Sequence, residues 1–390
     1  MINIHPYYIK GGINEVIPSD AHIIADLPNV SLYKQNDKAE ELELSIEQIK
    51  QRVQPFIQSP NLSVLIGSGC SVDAIPLMGR TFKDIKEEIE NVDLLGDYTG
   101  ENPDIEGCLN WLVAGLQFLK EGTEEYSDYH QLYYTILSKL KESIINTTPE
   151  NNEKVIRNHS KFFNSLFNVR NNPKYQPINI FTTNYDLFIE RALERIKVHY
   201  TNGFNGLIER EFDPSVFRLR FVDDENRYKE RWDPVSRFAR LYKLHGSINW
   251  YYQDKRLFEK IGQDHHSDNE NTVIYPTLNK HTQTLQTPYS ELFREFSLQL
   301  QKPNTTLIIM GYGFPDTHIN QLIQQALSNE SFTLIVFGNI TESGLNQFYN
   351  NNLSKQNLHI IGGQHTEGMM VHYYSSIVEK IINISRDEHV

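Results

Sequence analysis

Five times along the chain a short apolar run stops at a turn of glycine or small polar residues. Residues 62–66 run into Gly67 and Gly69, residues 178–182 into Thr183, Asn184, Tyr185 and Asp186, and residues 241–244 into His245, Gly246 and Ser247. Residues 306–310 run into Gly311, Tyr312 and Gly313, and residues 332–337 into Gly338 and Asn339. A strand buried on one face alternates apolar with polar residues, whereas an unbroken apolar run is buried on both faces, as in a parallel sheet covered by helices. Between the runs apolar residues recur at helical spacing, as at Ile85, Ile89, Leu109, Leu112, Leu116, Leu132, Ile136 and Leu140. Such alternation predicts an α/β protein with a Rossmann-like, doubly wound parallel sheet and a helical insertion at about residues 81–170.

Ahead of the first run, residues 1–57 read as an N-terminal extension, with an extended signal at residues 22–25 and helical spacing at Leu42, Ile46, Ile49 and Val53. Residues 58–390 then form the nucleotide-binding domain. Residues 205–240 mix both charges densely without a period and read as a solvated surface insert.

Charge and cysteine usage narrow the chemistry. With 37 basic and 50 acidic residues the net charge is -13, so the surface as a whole repels a phosphate backbone and direct nucleic-acid binding is not expected. The first residues carry no basic cluster followed by an apolar stretch, and no run is long enough to span a bilayer, which places the expected protein in the cytoplasm, away from membranes. Cys70 and Cys108 are the only cysteines, too few for a disulfide framework or a four-cysteine zinc site, so no metal is expected.

The turns themselves carry the candidate chemistry. In Gly67-Ser68-Gly69-Cys70-Ser71, glycines directly after a strand let backbone approach a pyrophosphate, although Val72 stands where the common dinucleotide fingerprint has its third glycine and a tight turn alone would also use glycine. Asn184 and Asp186 follow the next strand, where side chains point into the crevice that open α/β sheets use for ligands; an Asx turn and a helix cap are the plainer readings. His245 at a strand end is a natural general base near neutral pH, while His265, His266 and His281 sit in polar surroundings and read as loop residues. Gly311, Gly313 and Asn339 close two further turns of the same kind.

The ordered set GSGCS, TTNYD, LHGS, GYGF and FGN resembles the sirtuin family of NAD⁺-consuming proteins over roughly residues 60–375. The resemblance implies a diphosphate held by Gly67, Ser68, Gly69 and Ser71, further nucleotide contacts from Thr182, Gly311 and Gly313, and an adenosine ribose met by Asn339. It also implies that Asn184 positions the nicotinamide ribose or a water, that Asp186 contacts the carboxamide, and that His245 is the catalytic histidine. Sirtuin deacylases carry a four-cysteine zinc module after that histidine, and residues 249–271 contain no cysteine. Together with the long helical insert, this is similar to the bacterial sirtuin-like proteins of anti-phage defence that deplete NAD⁺, and most of all to the sirtuin-like partners of HerA-type hexameric ATPases. The expected function is NAD⁺ glycohydrolysis to nicotinamide and ADP-ribose, in a homo-oligomer with such an ATPase. Protein deacylation, ADP-ribosyl transfer and a non-catalytic nucleotide-sensing scaffold are the alternatives.

Overall fold

The computed structural model describes residues 7–10, 30–32, 39–89, 92–96, 98, 105–172, 174–260, 272–274, 287–366 and 369–383. Its centre is a nine-stranded sheet. In chain order the strands are β1 (Tyr7–Lys10), β2 (Val30–Leu32), β3 (Asn61–Ile66), β4 (Ile178–Thr182), β5 (His199–Thr201), β6 (Phe238–Lys243), β7 (Thr305–Met310), β8 (Thr333–Phe337) and β9 (Leu358–Gly362), arranged β2-β1-β9-β8-β7-β3-β4-β6-β5. The seven strands from β9 to β5 are parallel, and β1 and β2 extend one edge antiparallel. From β3 the chain adds β4, goes out to the edge strand β5 and comes back to β6 between them, then crosses to β7 on the other flank of β3 and builds outward through β8 and β9. This is the Rossmann-like, doubly wound order, and its switch point lies between β3 and β7.

The unbroken apolar runs are explained by burial of both faces. Leu62, Val64 and Ile66 of β3 pack with Ile308 and Met310 on one face, against helices α1 (Ala39–Ile57), α5 (Pro149–Val169) and α6 (Phe188–Arg195). Leu65, Leu307 and Ile309 face the opposite layer of α7 (Tyr289–Leu300), α8 (Thr317–Ala326) and α9 (Ser343–Asn350). Each such side chain contributes about 1.5–3 kcal/mol through its burial.

Within residues 1–57 the described stretches, 7–10, 30–32 and 39–57, share this sheet and core. Strand β1 pairs with β9, with Tyr7 opposite Gly362, and Ile46, Ile49, Val53 and Ile57 of α1 form a buried stripe under the sheet. The extended signal at residues 22–25 and the histidines at 265, 266 and 281 lie outside the described residues.

The helical stretch divides in two. Helices α2 (Met78–Glu88), α3 (Ile105–Leu116) and α4 (Glu124–Ile145) make a separate core of Phe82, Ile85, Leu109, Leu112, Ile136 and Leu140 that closes on Tyr185. Helix α5 belongs instead to the sheet layer, through Phe162, Phe163 and Leu166. It begins where the Thr148 hydroxyl accepts from Asn151 N at 3.3 Å, with Pro149 at the first helical position, where its missing N–H leaves no bond unmade.

Residues 205–240 are largely exposed, and they carry short strands. Phe204–Asn205 and Arg210–Phe212 join Gly246–Gln253, Arg256–Glu259 and Thr272–Ile274 in a second, antiparallel sheet, and Val222–Tyr228 pairs with Arg231–Pro234. Trp250 anchors it, 5.1 Å from Phe204 between ring centroids. Strands of two or three residues, such as Phe204–Asn205 and Arg210–Phe212, are too short to show a period in the sequence.

Candidate functional site

Strand register brings the turns together. Ile66 is level with Met310 on one side and Thr182 on the other, Thr182 is level with Lys243, and Met310 with Phe337. The turns after these strands therefore open at one edge of the sheet, and the switch point forms a crevice there.

Backbone contact explains the glycines. Gly67 N donates to Met310 O at 2.9 Å and Gly69 N to Gly311 O at 2.9 Å, and a Cβ on Gly67 would lie 2.3 Å from Gly311 O. Gly311 has φ +64° and is pressed equally hard against Cys70. Cys70 N and Ser71 N close turns onto Gly67 O and Ser68 O. Of Gly67, Ser68, Gly69 and Ser71, expected to hold a diphosphate, the amides of Gly67, Gly69 and Ser71 are thus bonded inside the protein, as is that of Cys70, and Ser68 is the exposed member of the turn.

A cleft at the crevice is lined by Ser68, Ser71, Asn184, Asp186, His245, Gly311 and Gly313 among the expected residues. Gly67, Gly69, Thr182 and Asn339 are not in its wall. The Thr182 hydroxyl ties β4 to β3 by donating to Ile66 O at 2.8 Å, and accepts from Asn184 N at 3.0 Å. Asn339 makes an Asx turn, its Oδ1 accepting from Thr341 N at 3.1 Å and Thr341 Oγ1 at 2.9 Å.

Asn184 is held from both sides. Its Nδ2 donates to Gly67 O at 3.2 Å and to Ser71 Oγ at 3.1 Å, and that hydroxyl donates to Asp186 Oδ2 at 2.9 Å. With both amide hydrogens engaged, Oδ1 of this residue, 7% exposed, has no hydrogen-bond partner among the described residues. Asp186 Oδ1 accepts from Phe188 N at 3.0 Å, an Asx turn just ahead of α6, whose N-cap is Leu187.

Beneath the turn lies Lys243, which is 1% exposed. Its Nζ donates to Glu190 Oε1 at 2.9 Å, to Tyr185 O at 3.4 Å and to Asp186 O. Burial pushes the Asp186 and Glu190 carboxyl groups up from their ordinary values, and the Lys243 ammonium pulls both the other way. This anchor was missed in the sequence, where its signal was a lysine inside the apolar run Leu241-Tyr242-Lys243-Leu244.

His245 reaches the cleft from the end of β6. Its Nε2 is 3.1 Å from Asp316 Oδ2, and its ring centroid is 6.4 Å from that of Tyr185. Asp316 is also the N-cap of α8. The opposite wall is apolar, with Ile75, Pro76 and Met78 from the approach to α2, Ile144 from α4, and Pro315. Among the described residues no group of three or more His, Cys, Asp or Glu side chains is placed to hold a metal.

Compared with known families, the chain matches the SIR2-like domain over residues 178–361. The match runs from the first residue of β4 into β9 and takes in Asn184, His245 and Asp316. It supports a sirtuin-like family, one of NAD-dependent enzymes. No curated protein matches the chain.

Proposed function

We propose that the protein binds NAD⁺ in this cleft as its substrate and hydrolyses the nicotinamide–ribose bond. The observation that carries the reading is the pairing, in one partly apolar cleft, of the unpartnered Asn184 Oδ1 with the His245 imidazole. The C1′–N bond breaks with its electron pair going to the pyridinium nitrogen, which leaves as neutral nicotinamide. Water adds to C1′ to give ADP-ribose, and the proton it loses passes to His245 and on to solvent. The carbon in between resembles an oxocarbenium ion, so a fixed acceptor dipole that orients water or a ribose hydroxyl lowers the barrier. Asn184 Oδ1 is that acceptor, Asp186 borders the nicotinamide end, and Ser68 is the exposed hydroxyl available to the diphosphate. The apolar wall of Ile75, Met78 and Ile144 limits competing bulk water.

Incubating the purified protein with NAD⁺, with and without an acetylated peptide, and resolving the products by chromatography tests this. Nicotinamide and ADP-ribose formed without peptide are expected. Nicotinamide released only with peptide would make the protein a deacylase, and unchanged NAD⁺ would leave a nucleotide-binding scaffold.

The sequence resemblance supports the wider setting that we propose: cytoplasmic depletion of NAD⁺ in anti-phage defence, by a homo-oligomer acting with a HerA-type ATPase. A mass in solution above one chain, rising further when such an ATPase is added, is the expected result; a monomer indifferent to it overturns this part alone.

A further inference from the structure

We propose that Asp316 is the positioning residue for His245, setting which ring nitrogen faces the reaction; this rests on the role of His245 argued above. A helix cap needs one carboxylate oxygen, and Asp316 Oδ1 fills that need by accepting from His318 N at 2.9 Å and Ile319 N at 3.2 Å. Capping leaves Oδ2 unexplained. That oxygen lies 3.1 Å from His245 Nε2, and the side chain is buried.

An ionised carboxylate only accepts hydrogen bonds, so the imidazole nitrogen beside it must carry the hydrogen. His245 is then the Nε2–H tautomer when neutral, and its Nδ1, which meets no partner among the described residues, is left as the acceptor for the proton of the attacking water. As that proton arrives the ring becomes cationic beside a fixed carboxylate, which stabilises it.

The loop that carries Asp316 is held more firmly than a turn requires. Phe314 has φ +60°, a conformation that bulky side chains rarely adopt and that persists only where the surroundings over-determine it. Here its ring packs 5.1 Å from Tyr312 and 4.7 Å from Phe348, and its carbonyl accepts from Asn320 Nδ2 at 2.9 Å. The Tyr312 hydroxyl donates to Asn320 Oδ1 at 3.2 Å and accepts from Asp316 N at 3.3 Å. Pro315 follows the strained residue directly. The backbone at Asp316 is thereby fixed from the strand side and the helix side alike, and its carboxylate is preorganised rather than recruited.

The test is Asp316→Asn. Asparagine caps a helix about as well as aspartate, and the helix amides claim its carbonyl oxygen, so its NH₂ group turns toward His245 and forces Nε2 to accept. The hydrogen moves to Nδ1. Melting close to wild type is expected, with kcat for nicotinamide release lower by on the order of 10² to 10⁴ and KM little changed. Combined with His245→Ala, Asp316→Asn should slow the reaction no further. A second readout is independent of activity: nitrogen NMR of the ¹⁵N-histidine-labelled full chain in mildly alkaline buffer, with the His245 signals identified by their loss in His245→Ala. Wild type should show Nε2–H and Asp316→Asn should show Nδ1–H. Wild-type kcat in Asp316→Asn, an additive double variant, or the same tautomer in both proteins would overturn the proposal. If wild type releases no nicotinamide, the hydrolase reading fails while the tautomer experiment still decides the role of Asp316.

Discussion

Ser71 and Asn184, from turns after different strands, meet at 3.1 Å, and the hydroxyl that receives the amide goes on to Asp186 at 2.9 Å. One buried hydroxyl thus sets the direction of both the amide and the carboxylate. Ser71→Ala leaves the Asn184 amide and the Asp186 carboxylate each short of a partner, at a cost of about 1–3 kcal/mol. It should also loosen the orientation of the Asn184 amide. A fall in kcat larger than the change in KM, with a lowered melting temperature, is the outcome to look for; unchanged kinetics would show that Asn184 does not depend on Ser71.

Asn184→Ala and His245→Ala should both lose nicotinamide release, by on the order of 10² to 10³ for the amide and 10² to 10⁴ for the base. Their stabilities should differ. His245 makes one side-chain hydrogen bond and is 15% exposed, so its loss changes melting little. Asn184 holds Gly67 O and Ser71 Oγ, and its truncation costs about 1 kcal/mol for each bond. Kinetics and thermal melts run together separate the two residues, and wild-type release in both variants would end the hydrolase reading of this cleft.

Lys243→Met should destabilise the fold strongly. It strands Glu190 in a buried position without its cation, and breaking one side of a buried ion pair costs about 3–5 kcal/mol. Adding Glu190→Gln should recover part of the loss, because the uncompensated charge is then gone. Urea unfolding of the single and double variants measures this, and a double variant less stable than Lys243→Met would show that the ion pair is not what the lysine serves.

The two glycines of the fourth turn should behave oppositely. At Gly311 a methyl group meets Cys70 N at 2.6 Å with φ at +64°, so Gly311→Ala must displace the first glycine turn and lower expression or melting sharply. At Gly313 nothing lies within 4 Å of the added carbon, so Gly313→Ala should fold normally. Any rise in KM for NAD⁺ in Gly313→Ala would then report substrate passing close to that backbone. Equal melting temperatures for the two variants would refute the packing argument.

Stability should also fall on acidification through a residue remote from the cleft. Burial drives the His159 imidazole down from 6.5 to about 3, and its Nδ1 faces the Tyr374 hydroxyl at 2.8 Å. Between those values the unfolded chain binds a proton that the folded one refuses. Stability is therefore full above about pH 6.5 and declines as pH drops toward 3, by about 1.4 kcal/mol per pH unit at most from this group. Urea midpoints across that range should show a shallower decline in His159→Gln, whose amide oxygen can still accept from Tyr374; parallel curves would exclude His159 as the cause.

The parallel sheet was legible because its strands are buried on both faces, and the position of the cleft followed from the glycine and polar turns at their ends. What stayed hidden was which atoms those turns would use. Nothing local in Gly67 or Gly69 distinguishes an amide aimed at a ligand from one bonded to the neighbouring turn; that depends on Gly311 arriving alongside. Nothing in the sequence ties Asp316 to its partner His245, which lies 71 residues earlier in the chain. The second sheet was unreadable for a different reason, since Phe204–Asn205 and Arg210–Phe212 acquire their strand character only by pairing.

Strands β3 and β7 also bear on how the protein comes to be active at all. Asn61 Nδ2 donates to Pro303 O, 242 residues further on, so the seam beneath the cleft joins stretches of chain that are far apart during folding. Closing so long a loop is entropically costly and slow, and contacts of that range tend to form late. Ser68 and Ser71 stand on one side of the seam, and Gly311 and Asp316 on the other. A fragment limited to residues 178–361 would lack β3 and the first turn altogether. Both sides of the cleft are therefore present only once the chain has been made past Asp316: a nascent copy would carry no half-built site.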